Sequence, residues 1–148
     1  MKQMKLTDEV TVGSSMEEAD FADAKAKGFA SIINNRAVTD KNLTLTPEQE
    51  ARMAADNGLQ YRHIPMTSGT LSVAASREFA KAMAELPKPI LAHCGGATRS
   101  ATLWSLAQAA GGMEAENILK ITGDAGFDLA IHGPLLRGLK EDGEKGRE

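Results

Sequence analysis

Apolar residues recur along this chain in two rhythms, and their alternation sets out the order of elements. Glu9-Val10-Thr11-Val12 alternates as a short strand. Ser15-Met16-Glu17-Glu18 supplies a capping box, with Ser15 at the N-cap and Glu18 three residues on, ahead of a helix expected to reach Lys27. Gly28 stops that helix, and Phe29-Ala30-Ser31-Ile32-Ile33 reads as a buried strand ending at Asn34-Asn35-Arg36. A polar loop over residues 37–46 leads into Thr46-Pro47-Glu48-Gln49, where Pro at the first helical position opens a helix that closes near Asn57-Gly58. The segment from Leu59 to Ile64 alternates as a strand stopped by Pro65. A loop over residues 66–71 and a helix from Ser72 to Leu86 follow. Pro87 and Pro89 bracket the turn into a strand over residues 90–93, after which come a loop and a helix ending at Ala110. Helices near residues 114–121 and 127–139 complete the pattern, the last interrupted at Gly133-Pro134.

Strand and helix alternate at least three times, which predicts one α/β domain with a mostly parallel sheet flanked by helices. The domain is expected over residues 1–139, with residues 140–148 as a charged, frayed tail. A chain of 148 residues is long enough to bury about 68–70% of its unfolded surface in one domain. Its net charge of −3 gives no bulk attraction for nucleic acid or an acidic membrane. No apolar run is long enough to span a bilayer, and Met1 to Glu9 lacks the apolar core of a signal peptide. One cysteine forms no internal disulfide, so a reducing cytoplasm is the expected setting. One cysteine and the scattered His63, His93 and His132 show no ligand spacing, so no metal site is expected, and none of the activities considered below requires a cofactor.

The single cysteine changes this picture. Ile90-Leu91-Ala92-His93-Cys94-Gly95-Gly96-Ala97-Thr98-Arg99-Ser100 reads as strand, tight loop and helix start. A lone cysteine is usually a small buried hydrophobe, but a core cysteine needs neither two glycines after it nor an arginine five positions on. At the carboxyl end of a strand and the N-terminus of a helix, backbone N–H groups and the helix dipole favour an anion, the thiolate included. Arg99 adds a fixed charge and a planar fork suited to an oxyanion. Gly95 and Gly96 let the backbone turn its N–H groups inward. Thr98 and Ser100 either donate hydroxyls to the substrate or cap the helix. His93 should point the opposite way from Cys94 along the strand, as a structural histidine, and Trp104 reads as core. Arg36, at the end of a strand, is a candidate for the rim of the site. Asp40 and Asp124 are the acids to consider as a displaced proton donor.

The loop from His93 to Ser100 resembles the active-site loop shared by cysteine phosphatases and rhodanese-type sulfurtransferases. Further stretches recur in order: Val12-Gly13-Ser14-Ser15, Gly28-Phe29 leading to Ile32-Ile33-Asn34-Asn35-Arg36, residues 58–65, and residues 98–104. Over about residues 5–112 the chain resembles the DUF442 family, the phosphatase-like domain of beta-lactamase-hydrolase-like proteins, also described as a sulfur transferase family. The resemblance implies a dual-specificity (tyrosine) phosphatase-like fold, and some members are fused to or encoded near persulfide dioxygenases. Three positions depart from the family: Gly95 stands where members commonly carry Arg, Ala97 where they carry Gly, and residues 66–71 hold no acid.

Spacing then ranks the chemistry. Tyrosine-phosphatase loops place five residues between cysteine and arginine, whereas rhodanese-type loops place four, as Gly95, Gly96, Ala97 and Thr98 do here. The expected function is therefore rhodanese-type sulfur transfer through a Cys94 persulfide. Its substrate would be a small sulfur-containing anion or persulfide, and its partner a persulfide dioxygenase or another sulfur-handling enzyme. The alternatives are a cysteine phosphatase acting through phosphocysteine, and a non-catalytic module that senses anions or persulfides. Cys94 and Arg99 are the expected catalytic pair, with Gly95, Gly96, Ala97, Thr98 and Ser100 contacting the substrate.

Overall fold

A strand buried on both faces must be apolar throughout, and the residues around Ile90-Leu91-Ala92 meet that demand. In the computed structural model, which describes residues 1–147, they form β5 (Ile90–His93), all of it buried. This strand sits at the centre of a five-stranded sheet of order β1-β2-β5-β3-β4. Its neighbours are β2 (Val10–Gly13) and β3 (Ser31–Asn34), with β4 (Gln60–His63) beyond β3 and β1 (Gln3–Lys5) beyond β2. The four inner and far strands run parallel; only β1 is antiparallel. Parallel neighbours require crossover connections. These are α1 (Glu18–Ala26), α2 (Pro47–Asp56) and α3 (Val73–Glu85), followed after β5 by α4 (Thr98–Ala110), α5 (Ala115–Asp124) and α6 (Gly133–Arg147). The protein is a single α/β domain, as the alternation predicts.

Side chains alternate across the sheet, so adjacent residues of one strand feed different cores. Ile33, Ile90 and Ala92 join Phe79, Leu103, Trp104 and Leu136 in the larger cluster, under α3, α4 and α6. Ile32 and Leu91 face the other way, into a smaller cluster with Phe21, Ala24 and Ala54 from α1 and α2. Trp104 is fully buried, as expected of a core residue. Among the described residues no helix is long and apolar enough to cross a membrane.

Three readings of the sequence need correction. Helix α1 begins two residues later than the Ser15 capping box implies. Glu17 is its N-cap, and the Asp20 carboxylate accepts from the Glu17 N–H at 2.7 Å. Ser15 is committed elsewhere: its N–H donates to the Gly95 carbonyl at 3.3 Å, and its hydroxyl accepts from Arg36 at 2.8 Å. Strand β1 escapes the apolar pattern because it is short and polar. Its pairing with β2 runs from Gln3 opposite Gly13 to Lys5 opposite Thr11. Gly133-Pro134 do not interrupt a helix but begin one, where the missing proline N–H has no intrahelical partner to lose. Helix α6 then continues through residues 140–147 instead of fraying at 139. Lys140 anchors it, reaching Glu114 at the start of α5 at 3.4 Å and pairing with Glu144 one turn on. Glu148 lies outside the described residues.

Phe21 is the largest side chain of the smaller cluster and fully buried. Phe21→Ala should cost about 3–5 kcal/mol of folding free energy, read from denaturant unfolding. A loss below about 1 kcal/mol would show that α1 is not packed as described.

Candidate active site

The loop after β5 leaves the sheet at the carboxyl end of its central strand, and backbone bonds pin it there. The Cys94 N–H donates to the Gly13 carbonyl at 3.2 Å, and Gly96 forms a bridge with Ser14. His93 faces α2, fully buried, with its Nε2 2.8 Å from Oε1 of Glu50; it is structural, as its place before the cysteine predicts. Glu50 in turn bears on Tyr61. Burial first, and then the Glu50 charge, raise the Tyr61 phenol above its ordinary range.

Helix α4 lacks the kind of capping side chain that α2 and α3 carry. Helix α2 is capped by the Thr46 hydroxyl and α3 by Ser72, but the N-cap of α4 is Ala97, and no side chain caps it. The first intrahelical bond runs from the Ala101 N–H to the Ala97 carbonyl at 3.0 Å. The N–H groups of the first turn are left for an outside acceptor. Ala97 holds φ at 74°, in the left-handed region. An alanine pays about 1–2 kcal/mol in that conformation, a strain that glycine would avoid.

Arg99, one residue into the helix, is fixed from several sides. Its two Nη atoms donate to the two carboxylate oxygens of Asp40 at 3.0 and 2.7 Å, and Nη1 also reaches the Met66 carbonyl at 2.9 Å. Burial opposes its charge, yet Asp40 and the Cys94 sulfur together raise its pKa. Asp40 is shared: Arg36 Nε donates to it at 3.2 Å, while the rest of that guanidinium holds Ser15 and the Lys41 carbonyl. The Arg99 hydrogen bond holds the Asp40 carboxyl below the usual carboxylate range, against burial and with help from Arg36. A Cβ at residue 95 would stand 3.2 Å from Arg99 Nη2, so Gly95 leaves that guanidinium its space.

A cleft of about 530 Å³ opens over the loop. Cys94, Gly95, Gly96, Thr98 and Arg99 line it from the loop side. Met66, Leu71 and His132 contribute from elsewhere in the chain. Cys94 is only 1% exposed, so its sulfur forms the floor of the cleft. Not every expected contact residue joins it. Ala97 is buried in the larger core. The Ser100 hydroxyl is committed to Asn35 Oδ1 at 2.7 Å, which removes it as a substrate donor. Arg36 lines a second cleft of about 520 Å³ on the other side of Arg99, together with Asp40 and Lys41. Neither acid considered as a proton donor serves as one. Asp40 is locked between two arginines, and Asp124 is exposed on α5, paired with Lys120 at 3.1 Å.

Sequence reasoning missed Asp40 as the holder of Arg99, Asn35 as a staple and His132 as a cleft residue. Asn35 ties three elements together: its Nδ2 donates to the Ile64 carbonyl at 2.8 Å, its N–H to the His93 carbonyl at 2.7 Å, and its Oδ1 accepts from Ser100. The available signal was its place in Asn34-Asn35-Arg36 at a strand end, where ligands gather in parallel sheets.

Comparison with known proteins agrees with this geometry. The family model of the beta-lactamase hydrolase-like protein, phosphatase-like domain, matches residues 3–111. The chain belongs to that family. A beta-lactamase hydrolase-like protein of Agrobacterium fabrum (strain C58) is 35% identical over 130 residues, covering 87% of this chain but 30% of the relative. The chain thus spans about a third or less of the length of such relatives. Among solved structures, a candidate phosphatase from Neisseria meningitidis z2491 superposes with a TM-score of 0.79 at 23% identity, covering 92% of this chain and 96% of that one. Tk-PTP in its active form gives a TM-score of 0.72 at 18% identity, over 94% and 95% of the two chains. At such identities the likeness shows the fold, which is phosphatase-like.

Two outcomes test the loop. Ala97→Gly relieves backbone strain but removes a buried methyl and adds unfolded-state freedom, so stability should stay within about 1 kcal/mol of the wild type. Ala97→Val, β-branched in the same conformation, should lower the melting temperature well beyond that. Asp40→Asn should cost about 1.5–3 kcal/mol at pH 7. Because the folded state lowers the Asp40 pKa, its contribution is present above the unfolded value of about 3.9 and fades as pH falls through the folded one. The stability gap between wild type and Asp40→Asn should therefore close in strong acid; a gap constant with pH would refute the pairing.

Proposed function

We propose that the protein is a cysteine-dependent phosphate-ester hydrolase acting through a phosphocysteine at Cys94. The observation that carries this reading is the thiol on the floor of a cleft, beneath an uncapped helix N-terminus and against a guanidinium fixed by a carboxylate. An anion that accepts from the first turn of α4 and from Arg99 would sit over the Cys94 sulfur. A phosphoryl group has three equatorial oxygens to satisfy, and inward N–H groups with one arginine suit that charge. The thiolate forms the S–P bond as the ester P–O bond breaks, and water then releases phosphate from Cys94. The volume of the cleft also exceeds what a lone sulfur atom requires and leaves room for an organic leaving group.

This ranking reverses the one drawn from loop length. The four-residue spacing from Cys94 to Arg99 still favours sulfur transfer as a second reading, with a Cys94 persulfide in place of the phosphocysteine. The fold supports the hydrolase, since the likeness runs to phosphatase-like proteins over nearly the whole chain. The activity of the longer beta-lactamase hydrolase-like relatives does not transfer, because the match covers only 30% of their length.

The test measures p-nitrophenol release from p-nitrophenyl phosphate beside intact mass after exposure to thiosulfate. Wild type should release p-nitrophenol, Cys94→Ser should fall to background, and Arg99→Ala should lose about 10²–10³-fold in kcat/KM. Absent ester turnover, with one sulfur atom gained on Cys94, would instead establish the transferase.

A further inference from the structure

We infer that His132 is the proton donor to the leaving group in this cleft, an assignment that rests on the hydrolase reading. Cleavage of an ordinary phosphate ester expels an alkoxide or phenoxide, and a positioned acid lowers that barrier. The obvious sources are closed. Residues 66–71 carry no acid. Asp40 accepts from both Arg99 and Arg36 and is kept ionised, so it has no proton to give. Arg99 does not deprotonate in a protein, and Cys94 is the nucleophile.

The three histidines divide clearly. His63 Nε2 lies 2.7 Å from the Arg36 carbonyl, and His93 Nε2 is engaged by Glu50. Neither ring nitrogen of His132 has a hydrogen-bond partner among the described residues, and His132 alone of the three lines the cleft that holds Cys94. It sits half-buried at the end of the 3-10 turn Ala130–His132, where α6 begins. The turn is built locally: the His132 N–H donates to the Leu129 carbonyl at 2.9 Å, and Leu129 is buried in the larger core. The ring is thus anchored through its backbone while its polar atoms stay available. Leu71, 40% exposed, lines the same cleft and offers an apolar surface to a leaving group.

The proton balance closes on this residue. As the Cys94 thiolate bonds to phosphorus, the electron pair of the breaking P–O bond goes to the ester oxygen, which takes a proton from the His132 imidazolium. The neutral imidazole then accepts a proton from the water that attacks the phosphocysteine. The P–S electron pair returns to Cys94, phosphate leaves, and the imidazolium is restored. Histidine is the side chain suited to both transfers near neutral pH.

Leaving-group dependence separates this role from a structural one. His132→Ala and His132→Gln would be compared with wild type on phenyl phosphate, a poor leaving group, and 2,4-dinitrophenyl phosphate, which departs without a proton. Both variants should lose about 10²–10⁴-fold in kcat/KM on the phenyl ester and stay within a few-fold on the dinitrophenyl ester. Equal losses on both esters, or no loss on the phenyl ester, would overturn the assignment while leaving the hydrolase standing. If wild type turned over neither ester in a Cys94-dependent way, the hydrolase reading would fall and take His132 with it.

Discussion

Asp40 lies between two guanidinium groups, and the geometry of the whole site depends on that shared carboxylate. It faces Arg99 with both oxygens and Arg36 with one of them. An arginine side chain has many rotamers and about 2 kcal/mol of conformational entropy to lose. Two bonds to one carboxylate, with a third to the Met66 carbonyl, confine the Arg99 fork to a single orientation beside the Cys94 sulfur. Arg36 in turn holds Ser15, the residue whose N–H binds the Gly95 carbonyl. The polar network therefore runs from the loop after β2, through two arginines and one aspartate, back to the loop after β5.

This arrangement supplies the anion cradle with charge and gives the thiol its surroundings. Backbone N–H groups cost no reorganisation when an anion arrives, because the helix has already fixed them. The left-handed Ala97 makes the turn that starts the helix at that point without a capping side chain. Had Thr or Ser capped α4 as Thr46 caps α2 and Ser72 caps α3, its first-turn donors would be partly occupied already.

Much of the frame was legible in the sequence because it rests on local rules. Thr46-Pro47 with Gln49 announces a helix through capping chemistry, and its N-cap stands where expected; the helix read from Ser72 begins one residue later, with Ser72 as its N-cap. The run into Cys94 and the arginine five residues on marked the strand, the loop and the nucleophile. Local rules failed where a residue was claimed by something distant. Ser15 looked like a cap but serves Arg36 and Gly95, and Ser100 looked like a substrate donor but serves Asn35. Asp40 stood out in the sequence as a candidate proton donor and not as the holder of Arg99. Its partnership with Arg99 spans 59 positions, and no periodicity encodes that. The four-residue spacing suggested sulfur chemistry, but spacing describes the loop alone; the size of the cleft above it depends on residues 66–71 and on the turn before α6.

The contacts that define the site join residues far apart in the chain. Ser100 meets Asn35 across 65 positions and His93 meets Glu50 across 43. Closing such separations costs loop entropy before any contact rewards it. Strand β5 is the last strand in the chain yet the central one in the sheet, so it must enter between β2 and β3 rather than add to an edge. The anion cradle begins at the next residue after that strand. A fragment ending before β5 would therefore lack the central strand of the sheet and the loop that carries Cys94 and Arg99.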